Sequence, residues 1–239
     1  MSGHSKWATI KRQKGVNDAK RGALFTKLSK AITIAVQQGG GIGDPSQNFK
    51  LRLVMETARG ANMPKENIQR AIERATEKNA QALEEVVYEG FGPGGIAVLV
   101  EAATDNKNRT TSEVQNIFNK NGGNMGQPGS VAYMFIQKGQ VAIVKNGKTA
   151  DEIFLDAADS GAEDIEEGDD EVFIYTMPTQ LAKVRDLLSQ KGYDTQETEV
   201  VRKATIPVVL SDTDGERVMD FVERLEDLDD VQKVYTNIA

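Results

Sequence analysis

The hydrophobic periodicity of this chain changes near Gln81, and this change limits the possible folds more than any other feature. Before it, apolar residues recur at the 3.6-residue spacing of amphipathic helices; after it, apolar runs typical of strands begin. Three helices are predicted upstream: one from near Ala23 that ends at the glycines of 39–41, one over 49–59, and one that follows the turn at 62–64. The sequence therefore predicts a helical N-terminal segment followed by a mixed α+β region.

Four more helices are predicted after Gln81, and short apolar runs separate them. Three of these helices follow the Thr-x-x-Glu spacing of a capping box, at Thr110, Thr149 and Thr213, and the fourth begins near Pro178. The strands are predicted near 86–89, 96–101, 131–136, 140–145, 162–166, 171–176, 194–201, 204–210 and 231–237.

The order of these elements predicts a chain with an inserted domain. Residues 134–203 have the order β-α-β-β-α-β, a complete ferredoxin-like unit that can close its own sheet. The segments 82–133 and 204–239 each have too little sheet to cover their helices, so we expect them to form a second, discontinuous α+β domain. The predicted fold is α+β and multidomain, with a three-helix domain at 1–80 followed by two ferredoxin-like α+β domains, one inserted in the other.

Charge is divided between the two ends of the chain. Residues 1–80 contain 15 Lys and Arg against 6 Asp and Glu, a net charge of +9, whereas residues 81–239 contain 14 against 30, a net charge of −16. The total of −7 hides this contrast. A basic end attached to an acidic body is expected to orient the molecule on a polyanion.

The first thirty residues hold the densest positive charge and predict a nucleic-acid contact. They carry eight cations against one acid, Asp18. Neutralising phosphates with such cations releases counterions, and Trp7 offers a ring on which an unpaired base can stack. The predicted contacts are Lys6, Trp7, Lys11, Arg12, Lys14, Lys20, Arg21, Lys27 and Lys30. The outer faces of the next two helices extend this surface with Arg52, Arg59, Lys65, Arg70 and Arg74. A solvated basic tail and an organellar transit peptide are the alternatives.

Two polar segments around the helix predicted at 111–121 are candidates for a second contact. Both combine cations with asparagine, which can bind phosphates or base edges. The same residues also fit ordinary turn and cap chemistry, so both interpretations stay open. The candidates are Asn106, Lys107, Asn108, Arg109, Lys120, Asn121 and Asn124.

Searches for catalytic and metal-binding patterns predict a protein that is not an enzyme and has no cofactor or metal. The chain has no cysteine and a single histidine, His4. It contains neither a Gly-x-Ser-x-Gly elbow nor a phosphate-binding loop ending in Gly-Lys-Ser/Thr. The longest aliphatic run, 96–100, is far short of the ~20 residues that cross a bilayer. With no apolar signal segment, the cytoplasm is the expected location.

Several blocks of the sequence resemble the YebC/PmpR family, which includes the mitochondrial translational activator of cytochrome oxidase. The blocks are in order and span nearly the whole chain; the linker at 41–49 is matched least. They are Gly3-His4-Ser5-Lys6-Trp7, Asp18-Ala19-Lys20-Arg21-Gly22, Phe25-Thr26-Lys27-Leu28, Asn62-Met63-Pro64, Tyr88 to Gly95, Thr104-Asp105-Asn106 with Arg109-Thr110, and Asn121-Gly122-Gly123-Asn124. The resemblance implies a helical domain followed by two α+β domains. It also implies either a DNA-binding transcriptional regulator or a ribosome-associated translation factor, with no established catalytic residues.

The residues by themselves favour RNA or the ribosome over duplex DNA. No helix stands out as one whose exposed face would read base edges in the major groove. A basic arm with one tryptophan is better suited to following phosphates and stacking on an unpaired base. The oligomeric state is not predicted. The alternative function is a small-molecule-binding regulatory module, which a ligand that stabilised residues 134–203 would reveal.

Overall fold

The computed structural model describes residues 18–77, 83–168 and 171–238. These residues form seven α-helices and eight β-strands. The helices are α1 (Asp18–Gln38), α2 (Phe49–Gly60), α3 (Lys65–Thr76), α4 (Lys107–Lys120), α5 (Ala150–Ser160), α6 (Leu181–Gln190) and α7 (Asp212–Glu226). The strands are β1 (Glu84–Phe91), β2 (Ala97–Thr104), β3 (Asn124–Met125), β4 (Phe135–Val144), β5 (Asp164–Glu167), β6 (Glu171–Thr176), β7 (Thr195–Ala204) and β8 (Val231–Thr236). No helix in the described ranges is long and apolar enough to cross a membrane.

Helices α1, α2 and α3 pack around one apolar cluster, as the 3.6-residue pattern predicts. Buried residues from all three helices include Ile32, Leu51 and Ile72. The turn after α1 is fixed by Asn48, whose side chain is almost completely buried. Its amide nitrogen donates to the carbonyls of Ala35 and Ile42, and its oxygen caps α2 by accepting from the Leu51 N–H at 3.0 Å.

The first sheet has the strand order β3-β1-β2-β8, and its neighbouring strands are antiparallel. Helices α4 and α7 lie side by side against it, and the rings of Phe118 and Phe221 meet edge to face at 5.1 Å. Glycines on β1 and just beyond it make room for these rings. A Cβ atom at Gly90 would lie 2.7 Å from Phe118, and one at Gly92 would lie 2.9 Å from Phe221.

The second sheet has the order β5-β6-β4-β7 and is also antiparallel. In chain order this is the 4-1-3-2 arrangement of a ferredoxin-like unit, which confirms the predicted fold class. Helices α5 and α6 supply the buried apolar residues Ile153, Val184 and Leu188. Gly139 lies where Leu181 packs on the sheet, and a Cβ atom at position 139 would lie 3.0 Å from the Leu181 side chain.

The structure divides into two compact units. One contains residues 133–209, and the other contains residues 16–132 and 210–236. Strand β8 completes the sheet that β1 and β2 begin, so chain segments on both sides of the second sheet share one sheet. The three domain boundaries inferred from the sequence stay a prediction.

One of the three expected capping boxes is confirmed and two are wrong. Thr149 and Glu152 form the reciprocal pair at the start of α5. Helix α4 instead begins after Asn106, whose side chain accepts from the Arg109 N–H, and α7 begins after Ser211. Asn and Ser are N-caps at least as good as Thr, and each stands ahead of the predicted threonine, so the helix starts earlier. Thr110 is consequently buried inside the first turns of α4.

Some of the predicted strands were wrong in extent. The strands expected at 131–136 and 140–145 are a short 3-10 turn followed by one long strand, β4, which passes through Gly139 because β6 and β7 pair with it on both sides. The strand expected at 204–210 is absent from the described residues, where only Val208 bridges to Ile238. The two-residue strand β3 was not predicted.

Candidate nucleic-acid interface

Most of the predicted basic arm lies outside the described residues. This group consists of Lys6, Trp7, Lys11, Arg12 and Lys14. Lys20 lies in the first turn of α1, and Arg21 follows it as an exposed residue of the same helix. Arg21 therefore places positive charge at the N-terminal end of the longest helix in the structure.

Lys27 and Lys30, in the middle of α1, contact the C-terminal part of the chain. The Lys27 ammonium donates to the carbonyl oxygen of Glu226. The Lys30 ammonium donates to the Asp229 carbonyl at 3.0 Å and to the Asp230 carboxylate. These contacts fix α1 to the end of α7 and the start of β8. A nucleic-acid contact by either lysine stays a prediction.

The Asp230 carboxylate collects donors from three separate parts of the chain. It is almost completely buried and accepts from Thr104 Oγ1 at 3.0 Å, Thr110 Oγ1 at 2.6 Å and an Arg109 guanidinium nitrogen at 2.7 Å, in addition to Lys30. Burial by itself raises the pKa of Asp230, but the donors from Arg109, Lys30 and Thr110 outweigh burial and hold this pKa well below its usual range. The carboxylate is therefore ionised at neutral pH.

The first predicted second-contact group lies at the N-terminal end of α4. Asn106 caps the helix, so its side-chain oxygen is already used by the Arg109 N–H at 3.1 Å. Lys107 is more than half exposed and lies 3.3 Å from Glu84, and Asn108 is exposed. Arg109 contacts both Asp105 and Asp230, and its hydrogen bond to Asp230 is the main cause of its raised pKa. Cap chemistry thus accounts for Asn106, while the neighbouring cation and amide face solvent.

The second predicted group lies at the other end of the same helix. Lys120 is exposed in the last turn, Asn121 donates its side-chain amide to the Ile117 carbonyl at 2.7 Å, and Asn124 is exposed in β3. Since α4 has 14 residues, the two groups are about 20 Å apart along its axis. The structure therefore does not bring them together in one patch.

A buried glutamate that the sequence did not single out organises the loop after β3. Glu89 on β1 is 6% exposed, and its carboxylate accepts from the N–H groups of Gly129, Val131 and Ala132 at 2.7–2.9 Å. Its own carbonyl accepts from Gly126. An acidic residue inside a strand is the only signal in the sequence, and its partners are about 40 residues away. Glu89 gives the loop 126–132 a fixed shape.

Four of the five cations predicted on the outer faces of α2 and α3 are exposed, and the fifth, Arg52, is partly buried. Arg59, Lys65, Arg70 and Arg74 are exposed, and the Arg52 guanidinium lies over the Phe49 ring, 5.6 Å from its centroid. A shallow recess beside this ring contact is lined by Pro45, Ser46, Arg52, Met55, Glu56 and Arg59. These cations add to the positive charge of α1 within the same compact unit.

The second sheet is a poor RNA-binding platform. Ferredoxin-like sheets that bind RNA stack bases on exposed aromatic rings. Tyr175 on β6 is only 2% exposed, donates to Glu166 at 2.9 Å and lies under the Lys203 ammonium, 4.0 Å from the ring centroid. Burial, then the charge of Glu166, raises the pKa of Tyr175. Lys203 also pairs with Asp164 and Glu166, so the ring is sealed under an ion-pair network.

The described residues contain no group of three or more His, Asp or Glu side chains arranged to hold a metal ion. The acidic residues near β5 are instead paired with lysines, as in the contact of Lys138 with Glu163.

Comparisons with known proteins cover the whole chain. A protein of Chloroflexus aurantiacus is 54% identical over all of this chain and 95% of its own length, and one of Dictyoglomus turgidum is 50% identical over 99% of this chain and 95% of its own length. Both are named "Probable transcriptional regulatory protein". A crystal structure of a conserved hypothetical protein from Aquifex aeolicus has a TM-score of 0.85 and 40% identity, covering 93% of this chain and 91% of that one.

Two family descriptions match consecutive parts of the chain. Residues 5–78 match the TACO1/YebC protein N-terminal domain, and residues 83–238 match the TACO1/YebC second and third domain. The division falls where the hydrophobic period changes. With the full-length relatives, these matches show that the chain belongs to the TACO1/YebC family.

Proposed function

We propose that this protein is a nucleic-acid-binding regulator of gene expression that binds through its basic arm and helical segment. The observation that carries the proposal is the division of charge: +9 over residues 1–80 against −16 over the rest. Exposed Arg21, Arg59, Arg70 and Arg74 on α1–α3 continue the charge of the arm. Phosphates are attracted to this end and repelled by the other.

The names of the relatives support a regulatory role in transcription. The surface of the helical segment, in contrast, argues against binding in the groove of duplex DNA. The exposed face of α3 mixes Arg70 and Arg74 with Glu66 and Glu73. Such mixed charge disfavours insertion into a major groove lined by two phosphate backbones. We therefore favour an RNA or ribosomal target over sequence-specific duplex DNA.

The middle of α1 is tied to the C-terminal part of the chain. Lys27 and Lys30 fix the middle of this helix to Glu226 and Asp230, whereas Lys20 and Arg21 lie nearer its N-terminal end. The first phosphate contacts are expected from the arm with Lys20 and Arg21, while the two anchored lysines add to the local positive potential.

A competition experiment tests the proposal. Labelled protein is offered purified ribosomes and duplex DNA together at about 150 mM salt, where weak nonspecific attraction is largely screened. The variant K11Q/R12Q/K14Q removes three charges from the arm. The matched control K183Q/R217Q/R224Q removes three exposed charges from α6 and α7.

Each outcome has a distinct meaning. Ribosome binding that the arm variant loses and the control keeps supports a translation factor. Duplex binding lost in the same way supports a transcriptional regulator instead. Equal loss in both variants would mean that overall charge and not the arm governs binding, and no binding to either polymer would overturn the proposed function.

A further inference from the structure

Helix α5, in the unit that contains the second sheet, exposes two adjacent large apolar side chains. Phe154 is 57% exposed and Leu155 is 66% exposed, whereas Ile153 and Ala157 on the opposite side of the helix are fully buried. Asp151 and Ala158 lie about one turn before and after the pair and are also exposed. We name the surface formed by Asp151, Phe154, Leu155, Ala158 and Asp159 the α5 face.

Packing within this unit does not account for the exposed pair. Ile153 and Ala157 already supply the apolar stripe with which α5 joins the core. Single exposed apolar residues are common, but an adjacent phenylalanine and leucine on one helix face form a continuous apolar patch. Patches of this kind with a polar rim mark interaction sites.

The rim of the α5 face is acidic. Helix α5 contains four acidic residues and no Lys or Arg. Glu152 is used by the capping box with Thr149, and Asp156 accepts from Lys191 and Tyr193. The remaining two, Asp151 and Asp159, lie on either side of the apolar pair, and Asp159 is 79% exposed although Lys191 lies 3.6 Å from it.

We propose that the α5 face docks a basic, amphipathic segment of a partner protein. Apolar side chains of the partner would cover Phe154 and Leu155, and its Lys or Arg residues would approach Asp151 and Asp159. Nucleic acid and anionic lipid are disfavoured because both bring negative charge to an acidic rim. A second copy that docked through the same face would place these aspartates against each other, which like-charge repulsion disfavours.

The inference does not depend on nucleic-acid binding, because the α5 face and the basic arm have opposite charge. The two surfaces are suited to different partners. A protein with both surfaces would hold a nucleic acid at the basic arm and a basic protein at the α5 face.

Three synthetic helical peptides test the chemistry of the partner. The first combines leucine with lysine, the second combines leucine with glutamate in the same pattern, and the third combines serine with lysine. Binding to the intact chain is followed by the ¹³C-methyl NMR signals of its leucines. We expect only the leucine–lysine peptide to shift the Leu155 methyl signals at the lowest peptide concentrations.

Variants locate the contact. L155S and the double variant D151N/D159N should each lower the affinity for the leucine–lysine peptide roughly tenfold. This is the scale of losing one apolar anchor or the charge partners. V209S serves as the control, because Val209 is 85% exposed, belongs to the same unit and lies outside the α5 face. All the substituted positions are exposed, so thermal unfolding should be nearly unchanged.

Several results would overturn the proposal. These are an equal shift of the Leu155 signals by the glutamate peptide, an equal loss of affinity in V209S, and peptide-induced shifts that do not include Leu155. Concentration-dependent self-association abolished by L155S would assign the face to a second copy. RNA that shifted the Leu155 methyl signals more strongly than the peptide would also overturn it. A shift of the Leu155 methyl signals by the leucine–lysine peptide alone would support the proposal.

Discussion

Asp230 is one of the residues that join the helical segment to the first sheet. Its buried carboxylate accepts from Lys30 on α1, from Arg109 and Thr110 on α4, and from Thr104 at the end of β2. Two of these donors, Lys30 and Arg109, were predicted as nucleic-acid contacts. Each of these cations can contact a phosphate only through N–H groups that do not already donate to Asp230.

Replacing Asp230 with asparagine should destabilise the protein. The substitution removes the charge that Lys30 and Arg109 face, and an amide cannot accept all four hydrogen bonds. Because Arg109 is partly exposed and screened by solvent, we expect a loss of about 2 kcal/mol, less than for a fully buried pair. Urea unfolding measures it. D229N, at the exposed neighbouring position, should change stability by less than about 0.5 kcal/mol.

The same contact predicts a pH dependence. Since the pKa of Asp230 is lower in the folded protein than in the unfolded chain, its contribution is complete above the unfolded value of about 3.9. It decreases as the pH falls from there towards the folded pKa. The stability difference between the native protein and D230N should therefore be constant from pH 5 to 8 and smaller at pH 3. A difference that grew on acidification would contradict this account.

Glu89 provides a second test at the level of one residue. In E89Q the amide nitrogen would face backbone N–H groups that now donate to a carboxylate oxygen, leaving donors unsatisfied. We expect a loss of about 1–3 kcal/mol and faster hydrogen exchange at Gly129, Val131 and Ala132. E113Q, on the exposed side of α4, should leave both quantities unchanged.

Among the elements, β1 depends on a glycine because a short strand and a helix approach it closely. A Cβ atom at Gly90 would lie 2.5 Å from the Asn124 carbonyl oxygen of β3 and 2.7 Å from the Phe118 ring of α4. Neither neighbour is the end of a flexible side chain. The pairing of β3 and the packing of α4 thus both require that residue 90 has no side chain.

Two glycine-to-alanine variants should have opposite effects. G90A should destabilise the protein by about 1–3 kcal/mol, because β3 or the Phe118 ring must move. G22A, on the exposed side of α1 with no atom within 4 Å of its Cβ, should stabilise it by roughly 0.5–1 kcal/mol through helix propensity. Thermal or urea unfolding decides between these signs, and a neutral G90A would show that β3 separates easily.

For the whole molecule, the division of charge predicts a strong salt dependence of nucleic-acid binding. If about six phosphates of duplex DNA are neutralised, log K should fall with log salt at a slope near −5. Deleting residues 1–21, which carry six of the cations, should flatten the slope markedly. The measurement is a titration at four salt concentrations. A slope near zero for the intact chain would argue against phosphate binding.

The sequence predicted the fold class and most of the helices, because burial periodicity is a local property. The stripe that contains Ile32 and the proline turn before α3 are examples. It failed where two local signals competed: Asn106 and Ser211, not Thr110 and Thr213, begin their helices. A capping pattern records what a helix start can use, and the first good cap in the chain takes precedence.

The candidate site was less predictable than the fold. Charge density identified the arm from the sequence, but the partners of Lys27 and Lys30 are about 200 residues away along the chain. No local pattern could show that Asp230 would be buried against them. The α5 face was missed for a similar reason, because Phe154 and Leu155 look like core residues until Ile153 and Ala157 are seen to fill that role.

By itself, then, the sequence determined the local order of helices and strands, the ferredoxin-like unit and the separation of positive from negative charge. Each depends on neighbouring residues or on composition. Only the tertiary structure decided which cations are tied to Asp230, which glutamate holds the loop 126–132, and which apolar residues stay in solvent. These depend on contacts between distant segments, and such contacts form only when the chain has folded.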